Sequence, residues 1–135
     1  MAEILGTSVT DKIFNTAIAR GYTPESAAAI AATIILEGVG AELIRFKGDR
    51  FKRYAEFCDR NKLNLQLPDS KIAYIFYEMP RGVEYNAAKI RYAQTVDVAI
   101  KAFNENYLGK SLTTTQLLQL TILANDLIKI FVSDV

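Results

Sequence analysis

The stretch Thr23-Pro24-Glu25, followed by the run from Ala27 to Leu36, constrains this chain more than any other. Threonine supplies an N-cap oxygen, proline fits the first helical position and the acid suits the first turn, so a helix begins here. Beyond it the residues are apolar or small nearly all round, Glu37 closes the run, and Gly38 and Gly40 stop it. A helix without a polar face cannot lie on the surface. It must be central, and its alanines let neighbouring helices approach closely.

The rest of the chain reads as helix too. Asp11 to Arg20 carries Ile13, Phe14, Ala17 and Ile18 on one stripe, with Gly21 as the C-terminal stop. After the short LIRFK segment, Asp49 caps a helix running to about Asn61, with Phe51, Tyr54, Ala55 and Cys58 inward. Leu67-Pro68-Asp69 starts a helix through KIAYIFYEM that Pro80 closes, and a further helix spans about Tyr85 to Ala93. Thr95 caps VDVAIKAFNENYL, where Val98, Ala99, Ala102 and Phe103 line one side and Gly109 marks the end. Thr113 or Thr114 caps QLLQLTILANDLIKIFV, whose apolar residues occupy more than one stripe. That last helix either packs deeply or meets a partner, a second copy included.

The expectation is an all-α globule around the helix ending in Glu37, with no β-hairpin. At 135 residues, half of them apolar, residues 1–135 suffice for one well-buried core and argue for a single domain.

Composition removes several function classes. Sixteen basic residues against fifteen acidic ones, with no long run of either sign, imply no nucleic-acid partner. Without histidine, and with Cys58 as the single cysteine, the chain lacks the ordinary ligands for zinc and the usual serine or cysteine triads. No intrachain disulfide is possible, and no cofactor or metal is expected. The N-terminus opens with an acid and lacks a basic region before an apolar core, so it does not read as a signal peptide. The longest apolar stretches are about half of what a membrane span needs, so no membrane insertion is expected.

The order PESAAAIAATIILEG, LIRFKGDRFKRYAEFCDRNKL, KIAYIFYEM, VDVAIKAFNENYLGK resembles the lysozyme-like domain of phage tail and virion proteins. That family shows an AAGIxGNLxxES helix, a GLxQWTGDR segment, an LxFLxYEL helix and an AxxxFxxxYExP helix. The resemblance is collinear from about Pro24 to Lys110. Ala27 to Ile30 and Glu37-Gly38 fall on AAGI and ES. Gly48-Asp49-Arg50 keep the end of QWTGDR, with Arg45 and Phe46 in place of its glutamine and tryptophan, and Tyr77-Glu78 and Asn106-Tyr107 match the last two motifs. The chain departs from the pattern between Glu37 and Arg45, where only residues 38–44 stand in place of a longer segment that forms one wall of the sugar groove. Little or no β-lobe is therefore expected.

What the resemblance implies is cleavage of peptidoglycan glycan strands by a muramidase or lytic transglycosylase. Such a protein would be carried in the virion, or lie in the host cytoplasm before assembly, and would act on the cell wall. Glu37 takes the place of the general acid. Asp49 or Glu42 is available as a second carboxylate, and Arg45, Phe46, Tyr77, Glu78 and Tyr107 as groove residues. Plainer readings stand beside these: Glu37 as a helix-end acid paired with Arg45 or Arg50, Asp49 as an N-cap, and Tyr77 and its aromatic neighbours as core. The basic residues Arg45, Lys47, Arg50, Lys52 and Arg53 either face an anionic wall polymer or form a solvated helix face. Two other functions stay open. One is a lysozyme-like scaffold or binding component of a virion or tail without catalysis, and the other an unrelated helical protein that docks other virion proteins or itself through residues 113–133.

Overall fold

The alanine-rich stretch forms α2 (Pro24–Glu37), and from Ala27 to Ile34 every residue is buried. A computed structural model describes residues 8–37 and 46–132 of the chain. Around α2 pack α1 (Ser8–Ala19), α6 (Val96–Ala102), which continues as a π-turn over Phe103–Leu108, and α7 (Thr114–Val132). The remaining helices are α3 (Gly48–Asn61), α4 (Pro68–Glu78) and the short α5 (Ala87–Arg91), with 3-10 turns at Met79–Arg81 and Val83–Tyr85. Among the described residues there are seven α-helices and no strand, so the chain is all-α. None of these helices is long and apolar enough to cross a membrane.

Local chemistry explains where α2 begins and how its Thr33 hydroxyl is satisfied inside the core. The Thr23 hydroxyl accepts from the Ser26 amide at 3.1 Å and donates to the Ala93 carbonyl at 2.6 Å, so one side chain caps α2 and ties it to the loop after α5. Deeper in, the Thr33 hydroxyl donates to the Ala29 carbonyl at 2.8 Å and accepts from the Asn104 amide group at 3.2 Å. A polar link thus joins α2 to the π-turn inside an apolar shell. At the far end of the chain, Thr113 and Gln116 form a reciprocal capping box, each side chain accepting from the other's backbone amide, at 3.1 and 2.9 Å.

Several inward positions differ from the sequence expectation. In α3 the buried stripe is Tyr54, Phe57 and Cys58, with Arg50 turned toward the same side, while Phe51 is 46% exposed. Arg50, Tyr54, Phe57 and Cys58 have the spacing i, i+4, i+7, i+8, so the true face is rotated by one position from the expected one. Ile18, Leu36 and Val98 are likewise exposed, and Val96 and Ile100 fill the inner face of α6. Asp49 is not the N-cap of its helix: Lys47 holds that position with extended backbone and no side-chain cap. Asp49 sits in the first turn instead, where its charge suits the positive end of the helix. The expected stops Gly38 and Gly40 lie outside the described residues.

The last helix resolves into one buried and one open side. Leu120, Ala124 and Leu127 are buried, Phe131 stacks on Phe14 of α1 at 4.7 Å, and Leu118 and Ile122 stay more than half exposed. Truncation on the two sides should therefore differ. Ile34→Ala, at the centre of the core, is expected to cost about 2–5 kcal/mol in urea unfolding, and Leu118→Ala no more than about 0.5 kcal/mol. Equal costs would contradict this packing.

Candidate active site

Glu37 is the last residue of α2 and so stands where the central helix leaves the core. The other sequence-derived candidates, Tyr77 apart, divide into three groups. Arg45 and Glu42 lie outside the described residues. Asp49 is exposed at the start of α3. Phe46, Glu78 and Tyr107 are buried and gather in one cluster with Arg50.

That cluster is built from three separate segments. Arg50 in α3 donates to both carboxylate oxygens of Glu78, the last residue of α4, from Nη2 at 2.8 Å and from Nε at 3.0 and 3.2 Å. The Tyr107 hydroxyl, from the π-turn, donates to the same carboxylate at 2.7 Å, and the Tyr74 hydroxyl does so at 3.3 Å. Arg53 adds a looser ion pair at 3.8 Å. A carboxylate with an exposure of only 8% thus receives a planar guanidinium fork and two phenol donors, which is what a buried charge needs. The Arg50 guanidinium also lies 4.7 Å from the centre of the Tyr107 ring and 5.3 Å from that of Phe46.

The electrostatics follow the geometry. Burial works against the Arg50 charge, but the hydrogen bonds and charge of Glu78, together with Tyr107, more than offset it and hold the guanidinium above its ordinary pKa. Tyr107 is pushed well above the usual phenol range, first by burial and then by the adjacent Glu78 charge, with Arg50 opposing. Cys58 is buried, and burial raises its thiol pKa.

Tyr77 lies beside this knot, its ring stacked on that of Tyr74 at 6.0 Å. Its ring packs on Phe57 at 4.7 Å, Arg81 stacks over it at 3.8 Å, and it borders a cavity of about 540 Å³ shared with Arg53, Tyr74, Glu78 and Tyr85. Gly82 makes room at the mouth: a Cβ there would fall 2.5 Å from the Tyr85 ring. Aromatic faces beside charged and hydroxyl groups, in a cavity of this size, suit a polar ring such as a sugar. The sequence reading named Arg53 only within a basic helix face and missed Arg81 and Tyr85 as cavity residues, because the 3-10 turns that bring these two to α4 carry no periodic signal. Comparison with family models, with curated proteins and with solved structures finds no match to the chain.

Two outcomes follow from this arrangement. Glu78→Gln leaves the Arg50 charge half-buried without its counter-ion and should cost about 3–5 kcal/mol by chemical unfolding; a loss below about 1 kcal/mol would mean that the pair holds little together. Tyr22, Tyr54, Tyr74, Tyr85 and Tyr107 all have phenol pKa values raised above 10.0, chiefly by burial. The folded state therefore keeps protons that the unfolded chain gives up, so their contribution is fully present below about pH 10 and declines as pH rises beyond it. Phenolate absorbance from these rings should appear together with loss of the helical circular dichroism signal. Full ionisation with intact helicity would contradict it.

Proposed function

We propose that this chain is a lysozyme-like domain of a phage tail or virion, directed at peptidoglycan glycan strands, with Glu37 as its general acid. The observation that carries the reading is the meeting of Arg50, Glu78 and Tyr107. These residues, 28 and 29 positions apart, come from three of the motifs on which the resemblance rests, and they close on one another through short hydrogen bonds. Chance similarity in motif order gives no reason for the retained residues to touch. The central burial of α2, which ends in Glu37, supports the same reading.

In this reading Glu37 protonates the glycosidic oxygen, and water or the substrate's own hydroxyl or acetamido group completes hydrolysis or transglycosylation. Tyr77 and Tyr85, on the walls of the 540 Å³ cavity, offer faces for sugar rings. The Arg50, Glu78 and Tyr107 cluster holds α3, α4 and the π-turn together behind that cavity.

A second reading, the same scaffold without catalysis, is favoured by one specific observation. Phe46 and Tyr107 are taken into the core and Asp49 is exposed at the head of α3, so among the described residues Asp49 does not join the cluster as a second carboxylate. Turnover of insoluble sacculi by the protein and by Glu37→Gln decides between them, with released muropeptides analysed by mass. Release that disappears in the variant is the expected result, and reducing or anhydro ends name the reaction. No release from either folded protein would reject the enzymatic reading and leave the scaffold.

A further inference from the structure

A cavity of about 610 Å³ lies far from Glu37, at the corner where α1 turns into α2 and meets α5. Two arginines face it, Arg20 just after α1 and Arg91 at the end of α5, and among the described residues no carboxylate lines it. Neither arginine forms an ion pair with any described residue. Arg20 makes one long hydrogen bond, from Nη1 to the Phe76 carbonyl at 3.4 Å. The Nε of Arg91 is buried and has no hydrogen-bond partner. This differs from the cavity beside Tyr77, where Glu78 and Glu84 face Arg53 and Arg81.

The backbone is shaped to bring Arg91 in. Gly21 has φ +87°, and a Cβ there would stand 2.6 Å from Nη2 of Arg91, so only glycine lets the guanidinium lie against this turn. The same guanidinium faces the Tyr22 ring at 5.9 Å. Tyr22, Phe76 and Pro80 supply apolar wall. A buried N–H without an acceptor is costly, and a site with two uncompensated cations beside apolar walls is complementary to a negative charge carried on an apolar body.

We propose that this cavity is a second ligand site, taking a small organic anion whose carboxylate or phosphate meets Arg20 and Arg91 and whose apolar part rests on Tyr22, Phe76 and Pro80. The α2 helix, 14 residues long, separates it from Glu37 by about 20 Å. The site therefore stands independently of the glycan reading.

Titration of the intact, isotope-labelled protein tests it, with amide spectra recorded against benzoate, phenyl phosphate, inorganic phosphate and the neutral benzyl alcohol. Saturable shifts at Gly21, Tyr22, Ala87 and Ala88 are expected with benzoate or phenyl phosphate, and the preferred one names the anion. Inorganic phosphate should bind at least about tenfold more weakly, and Arg20→Gln and Arg91→Gln should each weaken binding by at least about tenfold. Lys101→Gln, on the exposed side of α6, should leave binding unchanged. If Arg91→Gln fails to fold, Arg20→Gln decides, since Arg20 is exposed. No saturation by either organic anion up to about 10 mM, equal binding of benzyl alcohol or of inorganic phosphate, or unchanged binding in the folded arginine variants would each overturn the proposal.

Discussion

Everything in this molecule is arranged around a helix that has no side to give to water. From Ala27 to Ile34 α2 is covered on all faces, which requires partners on every side: α1, α6 and α7 take those places. Small side chains make the arrangement possible, because alanine lets helix axes approach more closely than leucine does. They also make it intolerant, since each close approach leaves no room for an added methylene. Of the polar groups that such a helix cannot avoid, the Thr33 hydroxyl is answered by its own backbone and by Asn104, while the buried Ser26 hydroxyl has no hydrogen-bond partner among the described residues.

The second organising element is electrostatic and sits outside that apolar bundle. α3 has a mostly polar sequence and buries only Tyr54, Phe57 and Cys58. Its attachment to α4 combines that aromatic seam with the Arg50 to Glu78 fork, while Tyr107 extends the hold to the segment after α6. Hydrophobic burial gives the bundle its stability, whereas the ion pair with its phenol donors fixes orientation, because a bidentate fork is satisfied in only one relative placement.

Much of this was legible in the sequence, and the parts that were not share a cause. The start of α2, its central position, the stop at Gly21 and the all-α class follow from local rules: capping, periodicity and a residue able to take positive φ. The face of α3 was misjudged because hydrophobicity pointed to Phe51, while a charged residue one position earlier turns toward the core to meet a partner 28 residues away. No local rule supplies such a pairing. Among the candidate residues, Glu78 and Tyr107 were singled out by a motif resemblance. Their shared contact, and the cavities bordered by Arg53, Arg81 and Arg91, depend on how distant turns come together.

The π-turn at Phe103–Leu108 determines which side chains the end of the α6 segment presents. A helix that widens for one turn holds one residue more than regular winding would, and everything after it is rotated by about 100° relative to an unbroken helix. Asn104 reaches Thr33 and Tyr107 reaches Glu78 from within that widened turn. The register of this segment is therefore part of the architecture. Loss of a single residue here would return the helix to ordinary winding and swing Tyr107 off its carboxylate, a change in aim that no substitution of one side chain for another can reverse.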